Sequence, residues 1–233
     1  AFYKFTNAGQ TCTAPDYVLC HRNKQDELIE GLATNFKKFF KKNGEHSTED
    51  YCQIINHKHF DRVSGYIDSA VSGGASVVFG GKTDRESRFI EPTLLSNVST
   101  ESEVMTEEIF GPILPILPYE SLDEVVEFIN KRHRPLSLYV FSSNKKNQNR
   151  LMSETCSGSF LVNDCVINHA NPHLPFGGIN NSGIGSYHGK FGFDELSHHK
   201  AVLKSTSLSP FKLMLPPYTP FVEKLVKMTK KLA

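Results

Sequence analysis

Apolar residues recur along the chain in two alternating rhythms. Tyr17-Val18-Leu19-Cys20-His21 is short and β-prone, and reads as a strand. From Lys24 to Lys42, Leu28, Leu32, Phe36 and Phe39 return at helical spacing, and Gly44 supplies a stop. Phe60, Val63, Ile67 and Val71 mark a second helix from Lys58 to Ser72, ended by Gly73-Gly74. Ser76 to Gly81 reads as a strand and turn, and Ile90 to Val98 as extended chain. Gly111-Pro112 breaks the chain before Ile113 to Leu117, an apolar run suited to a buried strand. Leu122, Val125, Val126 and Ile129 define a helix, Leu138 to Phe141 a strand, Lys145 to Thr155 a helix, and Ser159 to Asn163 a strand. Strands alternating with helices predict an α/β fold with a mostly parallel, doubly wound sheet. Residues 170–193 are rich in glycine and read as loop, the kind of segment that carries sites on such sheets. From Pro216 a turn leads into a short amphipathic helix with Phe221, Leu225 and Met228. No internal repeat is present.

Composition narrows the classes. The 233 residues suffice for one large α/β domain or two small ones, and 39% hydrophobic content can fill a core. A net charge of +1 gives no global attraction for nucleic acid or an anionic membrane. The basic stretch Lys37, Lys38, Lys41 and Lys42 reads as a solvated helix face, with Phe36, Phe39 and Phe40 turned inward. No apolar run approaches the roughly 20 residues that span a bilayer, and no signal-peptide pattern opens the sequence. The five cysteines are scattered, odd in number and lack CxxC spacing. That argues against a disulfide framework and against a metal site, and favours a reducing, cytoplasmic setting. The opening Ala1-Phe2-Tyr3 has no initiator Met and runs straight into element-like sequence, so a longer protein is expected.

Cysteine is the strongest ordinary nucleophile once its thiolate forms. Cys20 sits in a strand pattern and Cys156 follows a helix; both read as small buried hydrophobes. No motif surrounds Cys52 or Cys165. Cys12 differs, because Asn7-Ala8-Gly9-Gln10-Thr11-Cys12 is a small polar loop before a strand. Small neighbours admit a substrate and leave backbone N–H groups free to hold an oxyanion. A Cys near the chain start with downstream histidines also fits a papain-like hydrolase, built from Cys12, His169 or His188, and Asn163. The usual Cys-Trp surroundings are missing, since the chain has no Trp. Glu107-Glu108-Ile109-Phe110-Gly111-Pro112 reads either as a solvated helix end or as a carboxylate for ribose hydroxyls beside an aromatic for a flat ring. In Pro175-Phe176-Gly177-Gly178 and Asn181-Ser182-Gly183-Ile184-Gly185 the glycines permit positive φ, but the pattern is no P-loop.

Together these segments resemble the aldehyde dehydrogenase superfamily. Gln10-Thr11-Cys12 resembles its nucleophile motif, Glu108-Ile109-Phe110-Gly111-Pro112 its cofactor-side motif, and Pro175-Phe176-Gly177-Gly178 its late glycine motif. Ala14-Pro15-Asp16-Tyr17 and Ser186-Tyr187-His188-Gly189-Lys190, with Phe193 and Ser197-His198, resemble the class 3 or fatty-aldehyde branch. The resemblance covers nearly the whole chain, in order. It implies oxidation of aldehydes to acids with NAD or NADP, through a Cys12 hemithioacetal and thioester. It further implies that Glu108 binds the nicotinamide ribose, that Phe110 lies beside the nicotinamide, and that Phe176 and His188 border the substrate pocket. Medium- or long-chain aliphatic or aromatic aldehydes, and a homodimer, are implied as well. Residues 1–200 would then be the catalytic domain, and 201–233 a C-terminal strand or tail and short helix concerned with oligomerisation.

The chain also departs from the family pattern. The family's general-base Glu and oxyanion Asn precede the nucleophile, whereas this chain begins 11 residues before Cys12. Both groups, and most of the cofactor domain, are expected to lie outside it, and the isolated chain is expected to be inactive. After Asn163-Asp164 the branch places His four residues beyond the Asp; here Asn168 stands there and His169 follows. Two other readings remain open from the residues alone: a cysteine-dependent esterase or hydrolase, and a non-catalytic fragment that only folds or pairs.

Overall fold

The computed structural model describes residues 1–42, 45–46, 50–205, 207, 212 and 215–229. The chain divides into two compact units, Ala1–Leu196 and Ser197–Ala233. The first holds strands β1 (Val18–His21), β2 (Ser76–Phe79), β3 (Thr93–Ser96), β4 (Ile113–Tyr119), β5 (Ser137–Val140) and β6 (Ser159–Val162). Its longer helices are α1 (Gln25–Phe40), α2 (His57–Ser72), α3 (Leu122–Lys131), α4 (Lys145–Glu154) and α5 (Gly189–Glu195). The second unit holds α6 (Pro220–Thr229).

The expected α/β architecture with a mostly parallel sheet is present. Four strands pair in the order β1-β4-β3-β2. β4 runs parallel to β1, with Val18 opposite Ile116, and parallel to β3, with Thr93 opposite Ile113. β2 closes the edge antiparallel, with a bulge between Val77 and Phe79. β5 and β6 form a separate parallel pair, Ser137 opposite Ser159. β4 occupies a central place because its apolar run is covered on both faces; Ile113, Leu114 and Ile116 are buried. It does so although Pro115 and Pro118 each remove a ladder donor.

Helix faces follow the sequence period with local shifts. On α1 the buried row is Phe36 and Phe40, with Leu28 and Leu32 half-buried behind them. Phe39 was expected to turn inward but is exposed and meets Phe2 edge-on. Positions 39 and 40 lie three and four residues after 36, both near its face, and packing decides between them: Phe40 stacks on Phe36 and meets Tyr51 edge-on. Gly44, the expected stop, lies outside the described residues. On α2 the buried row is Phe60, Val63, Tyr66, Ile67 and Ala70, so Val71 is displaced to the surface. Asn56 starts α2 by accepting from the His59 N–H, and Gly73 ends it. Asn144 caps α4 in the same way.

Other expectations need correction. Cys156 is exposed, not buried, because α4 ends at Glu154 and the chain is already leaving the core; Cys20 and Cys165 are buried. The extended stretch 90–98 is two pieces, Phe89–Ile90 and β3, with Pro92 between them. The loop region 170–193 gives way to α5 at Gly189. In α6, Phe221 and Met228 are exposed while Val222 is buried. No described helix is long and apolar enough to cross a membrane.

The core of the first unit has two parts. The larger gathers Phe36, Val63, Leu94, Leu95, Ile113 and Ile116, and also takes Phe5, Ala8 and Ile109. Those last three belong to the two segments that carry Cys12 and Glu108, so burial anchors both beside one core. A smaller cluster of Val125, Ile129, Val140 and Leu151 joins α3, α4 and β5.

Candidate active site

The nucleophile segment begins with one helical turn, Phe2–Phe5, pinned by Phe5 packing edge-on against Phe36 at 5.7 Å. The chain then passes through three left-handed residues, Asn7, Ala8 and Gly9, with φ of 54°, 52° and 72°. Asn and Gly accept this conformation readily; Ala8 is held there by burial. The Asn7 Nδ2 donates to the Gln10 carbonyl, and Gln10 Nε2 donates to the carbonyls of Asn7 and Gln53. Gln10 Oε1 accepts from the Ile55 N–H at 2.9 Å. Gln10 thus staples the turn to residues 53–55, a role invisible in the motif itself. Cys12 follows on the turn and is exposed. Behind it the Thr13 carbonyl accepts from the Tyr139 hydroxyl of β5 at 2.8 Å.

The cofactor-side segment alternates outward and inward. Glu108 is exposed, Ile109 is fully buried, and Phe110 is 38% exposed. Phe110 has φ of 44°, a strained value for a bulky residue. Gly111 is required where it stands, because a Cβ there would come within 2.6 Å of Val63 Cγ1 on α2. The two segments touch twice. A Cβ at Gly9 would fall 2.2 Å from the Gly111 carbonyl oxygen, so these backbones are in direct contact. Asp16, four residues after Cys12, accepts from the Ile109 N–H at 3.2 Å.

Four charged groups gather at this junction: Lys4, Asp16, Arg62 and Glu108. Lys4 is 3% exposed, and burial lowers it to about 8, against the pull of Asp16 and Glu108. Burial raises the Asp16 carboxyl, opposed by Lys4, the Ile109 N–H and Arg62. Glu108 is raised by partial desolvation first and by Asp16 second, while Arg62 and Lys4 hold it down. Its surface stays exposed, so water screens these effects and they bear on its charge state more than on stability.

The depressed Lys4 has a testable consequence. Below about pH 8 the folded and unfolded chains both carry its proton, and the cost of burying the charge is fully present. Between about 8 and the ordinary value of 10.5 the unfolded chain binds more protons, so stability rises with pH. Urea unfolding of the wild type and Lys4→Met should show the wild type gaining relative to the variant from pH 7 to pH 10. A flat difference would place Lys4 in water.

The late glycine segment forms a third grouping. Phe176 is buried, and its N–H and carbonyl pair with those of Tyr187 at 3.0 and 2.9 Å. His188 stacks on Phe176 with ring centroids 5.8 Å apart, and its buried Nδ1 has no hydrogen-bond partner. Asn168 turns inward and donates to the Ser159 hydroxyl, while exposed His169 meets Phe176 edge-on. Phe176 and His188 are therefore brought together, as are the Cys12 and Glu108–Phe110 segments. Among the described residues no hydrogen bond or ring contact joins Cys12 itself to Phe176 or His188. The structural link runs through β5 and β6: Tyr139 holds Thr13, and the Ser137 and Ser159 hydroxyls meet at 2.7 Å.

The papain-like arrangement is not formed. Asn163 Oδ1 accepts from the Ser142 N–H, the His169 ring contacts the Val166 carbonyl, and His188 is stacked on Phe176. None of the three is hydrogen-bonded to Cys12 among the described residues. Nor do the described residues include a group of three or more His, Cys, Asp or Glu placed to hold a metal ion. Lys4 and Arg62 read in the sequence as ordinary charges; Gln10 stands there only as part of the nucleophile motif and Tyr139 only as part of a strand, and the fold reveals the partners of all four.

Comparison with known proteins converges on one family. Residues 1–202 match the model for the aldehyde dehydrogenase family. The 4,4'-diaponeurosporen-aldehyde dehydrogenase of Staphylococcus aureus is 48% identical over 218 residues, 93% of this chain and 46% of its own length. The dimeric NADP-preferring aldehyde dehydrogenase of Rattus norvegicus is 46% identical, over 90% of this chain and 45% of its own. A solved structure of Staphylococcus aureus AldH in a substrate-bound state superimposes with a TM-score of 0.87 and 46% identity, covering 98% of this chain and 49% of that one. The chain spans about half the length of these relatives.

Proposed function

The chain belongs to the aldehyde dehydrogenase family, and from that premise we propose that it supplies the nucleophile and nicotinamide-side contacts for oxidising aldehydes to carboxylic acids with NAD or NADP. The observation that carries this reading is the double contact between the Cys12 segment and the Glu108–Pro112 segment, which stand about 100 positions apart in sequence. That contact puts an exposed thiol and an exposed carboxylate–aromatic pair on neighbouring pieces of backbone.

The chemistry assigned to each residue follows. The Cys12 thiolate adds to the aldehyde carbon, forming a C–S bond and placing the displaced electron pair on oxygen. The Cys12 backbone N–H is the local donor to that oxyanion. NAD or NADP, when bound, would supply the hydride acceptor that lets the adduct on Cys12 pass to an acyl thioester. Water then cleaves the thioester, releasing the acid and restoring the thiol. Glu108 accepts from ribose hydroxyls and Phe110 offers a flat face to the nicotinamide. These two residues suit that ligand, since an exposed carboxylate and an exposed ring flank a buried anchor. Phe176 and His188 border the aldehyde. In the family the general-base Glu and an oxyanion Asn precede the nucleophile, and no carboxylate of this chain is given that step. The substrate class is a medium- or long-chain aliphatic or an aromatic aldehyde. A dimer is part of this reading, supported by the rat relative's description as dimeric. A reducing, cytoplasmic setting is supported by five free cysteines.

Glu108→Gln tests the assignment. In the full-length protein it should weaken NAD(P)+ binding by about tenfold or more, the scale of losing a charge-assisted hydrogen bond. Aldehyde KM should stay within about twofold, since Glu108 acts on the ribose rather than on the aldehyde. Cofactor affinity can be read by calorimetric titration; unchanged affinity would refute the role of Glu108. Ester turnover indifferent to nicotinamide cofactor, without aldehyde oxidation, would instead favour a thiol hydrolase.

A further inference from the structure

We propose that Arg62 is a positioning residue that fixes the Glu108–Phe110 backbone for the cofactor, with Asp16 holding the same segment from the nucleophile side. This inference rests on the assignment of Glu108 and Phe110 to the nicotinamide half of the cofactor.

A bulky residue such as Phe110 at φ of 44° leaves that conformation unless its neighbours hold it. Arg62 supplies the hold. Its Nη1 donates to the Glu108 carbonyl at 3.1 Å and its Nη2 to the Ile109 carbonyl at 3.0 Å. Two consecutive carbonyls are thus gripped by one planar fork. The fork is itself oriented: Nη1 also donates to the Tyr66 hydroxyl at 3.0 Å, and the guanidinium lies 5.3 Å from the Tyr66 ring centre. Tyr66 is buried and one helical turn away on α2, which makes the donor rigid. The next residue, Val63, packs against Gly111. On the opposite side Asp16 accepts the Ile109 N–H. The segment is held by its carbonyls from α2 and by its N–H from the Cys12 segment, while the Glu108 and Phe110 side chains stay exposed.

A lysine could not do the same. Its ammonium is a point charge without the planar fork, so it could satisfy one carbonyl well but not both in this geometry. Arg62 sits on the half-exposed face of an amphipathic helix, which is why its sequence context marks it as an ordinary solvated charge.

The test compares Arg62→Met and Arg62→Lys with the wild type in the full-length protein. Two readouts are taken: amide hydrogen exchange over residues 107–112 without cofactor, and steady-state kinetics with NAD(P)+ and aldehyde varied separately. For Arg62→Met, exchange at the Ile109 amide should quicken and NAD(P)+ KM should rise by about 10- to 100-fold, the scale of losing hydrogen bonds from a charged group. Aldehyde KM and the rate of Cys12 alkylation by iodoacetamide should stay within about twofold, because the segment that shifts is not the nucleophile turn. Arg62→Lys should fall between the two. Parallel increases in both KM values with altered alkylation would mean a general loss of structure and would overturn the positioning role. Faster exchange with unchanged cofactor KM would overturn it too. If the wild type oxidises no aldehyde, the proposed function itself fails. The exchange arm then decides alone, and unchanged exchange at Ile109 in Arg62→Met would dismiss the clamp.

Discussion

Serine in place of Cys12 is expected to lower aldehyde oxidation by the full-length protein by about 1,000-fold or more, the scale on which enzymes lose turnover when a nucleophile is removed. A serine hydroxyl at neutral pH has almost no alkoxide, whereas a thiol carries an appreciable thiolate fraction and is the better nucleophile. Folding should be nearly untouched. Cys12 is exposed on its turn, and the turn is held by Gln10, Gly9 and the Thr13 carbonyl rather than by the thiol. Sulfur-to-oxygen replacement there removes no core contact, so the melting temperature should move by no more than an ordinary surface substitution would move it. Initial rates of NAD(P)H formation and a thermal melt, taken on the same preparations, separate chemistry from stability. Near-normal turnover in Cys12→Ser would remove Cys12 as the nucleophile, whatever the family match.

β4 and α3 were legible because each has a strong apolar period, whereas α5, at Gly189–Glu195, lay in a stretch that read as loop. β4 follows from Ile113–Leu117, α3 from Leu122, Val125 and Ile129, and both are found where expected. What period cannot assign is the exact face. Phe39 and Phe40 are adjacent aromatics, and only packing against Phe36 and Tyr51 selects Phe40. The division of the strands into a four-stranded sheet and a separate β5–β6 pair was equally hidden, because strand pairing is a tertiary choice. At the site the candidate side chains were legible as local chemistry: a thiol among small residues, and a carboxylate near an aromatic before Gly-Pro. Their meeting followed only from the family resemblance and not from local pattern, because Asp16–Ile109 and Gly9–Gly111 are contacts between distant positions. Lys4 and Arg62 were missed for a related reason. A charge reads as solvated until something is found to bury it, as for Lys4, or to accept from it, as for Arg62.

The contact at Gly9 carries the second large prediction. Gly9→Ala is expected to destabilise the protein by about 2–5 kcal/mol, combining roughly 1–2 kcal/mol for a left-handed alanine with about 1–3 kcal/mol for overpacking. The steric part is specific. The added methyl would start 2.2 Å from the Gly111 carbonyl oxygen and 3.1 Å from the Pro112 nitrogen, and both obstacles are backbone. Neither can rotate aside, so the Cys12 turn and the Glu108–Pro112 segment must separate. Gly74→Ala is the control, since Gly74 also has positive φ, at 98°, but nothing lies within 4 Å of its added Cβ. It should cost only the backbone part, about 1–2 kcal/mol. Urea midpoints of the two variants therefore isolate the price of the clash. Activity should divide them further. Separating the segments moves the thiol relative to the cofactor-side pair, and a misplacement of about 1 Å at a reacting centre can cost roughly 100-fold in rate. Gly74→Ala, at the end of α2 and outside both segments, should keep its turnover under conditions where it remains folded. Equal midpoints and equal rates for the two variants would show that the Gly9–Gly111 approach does not hold the candidate site together.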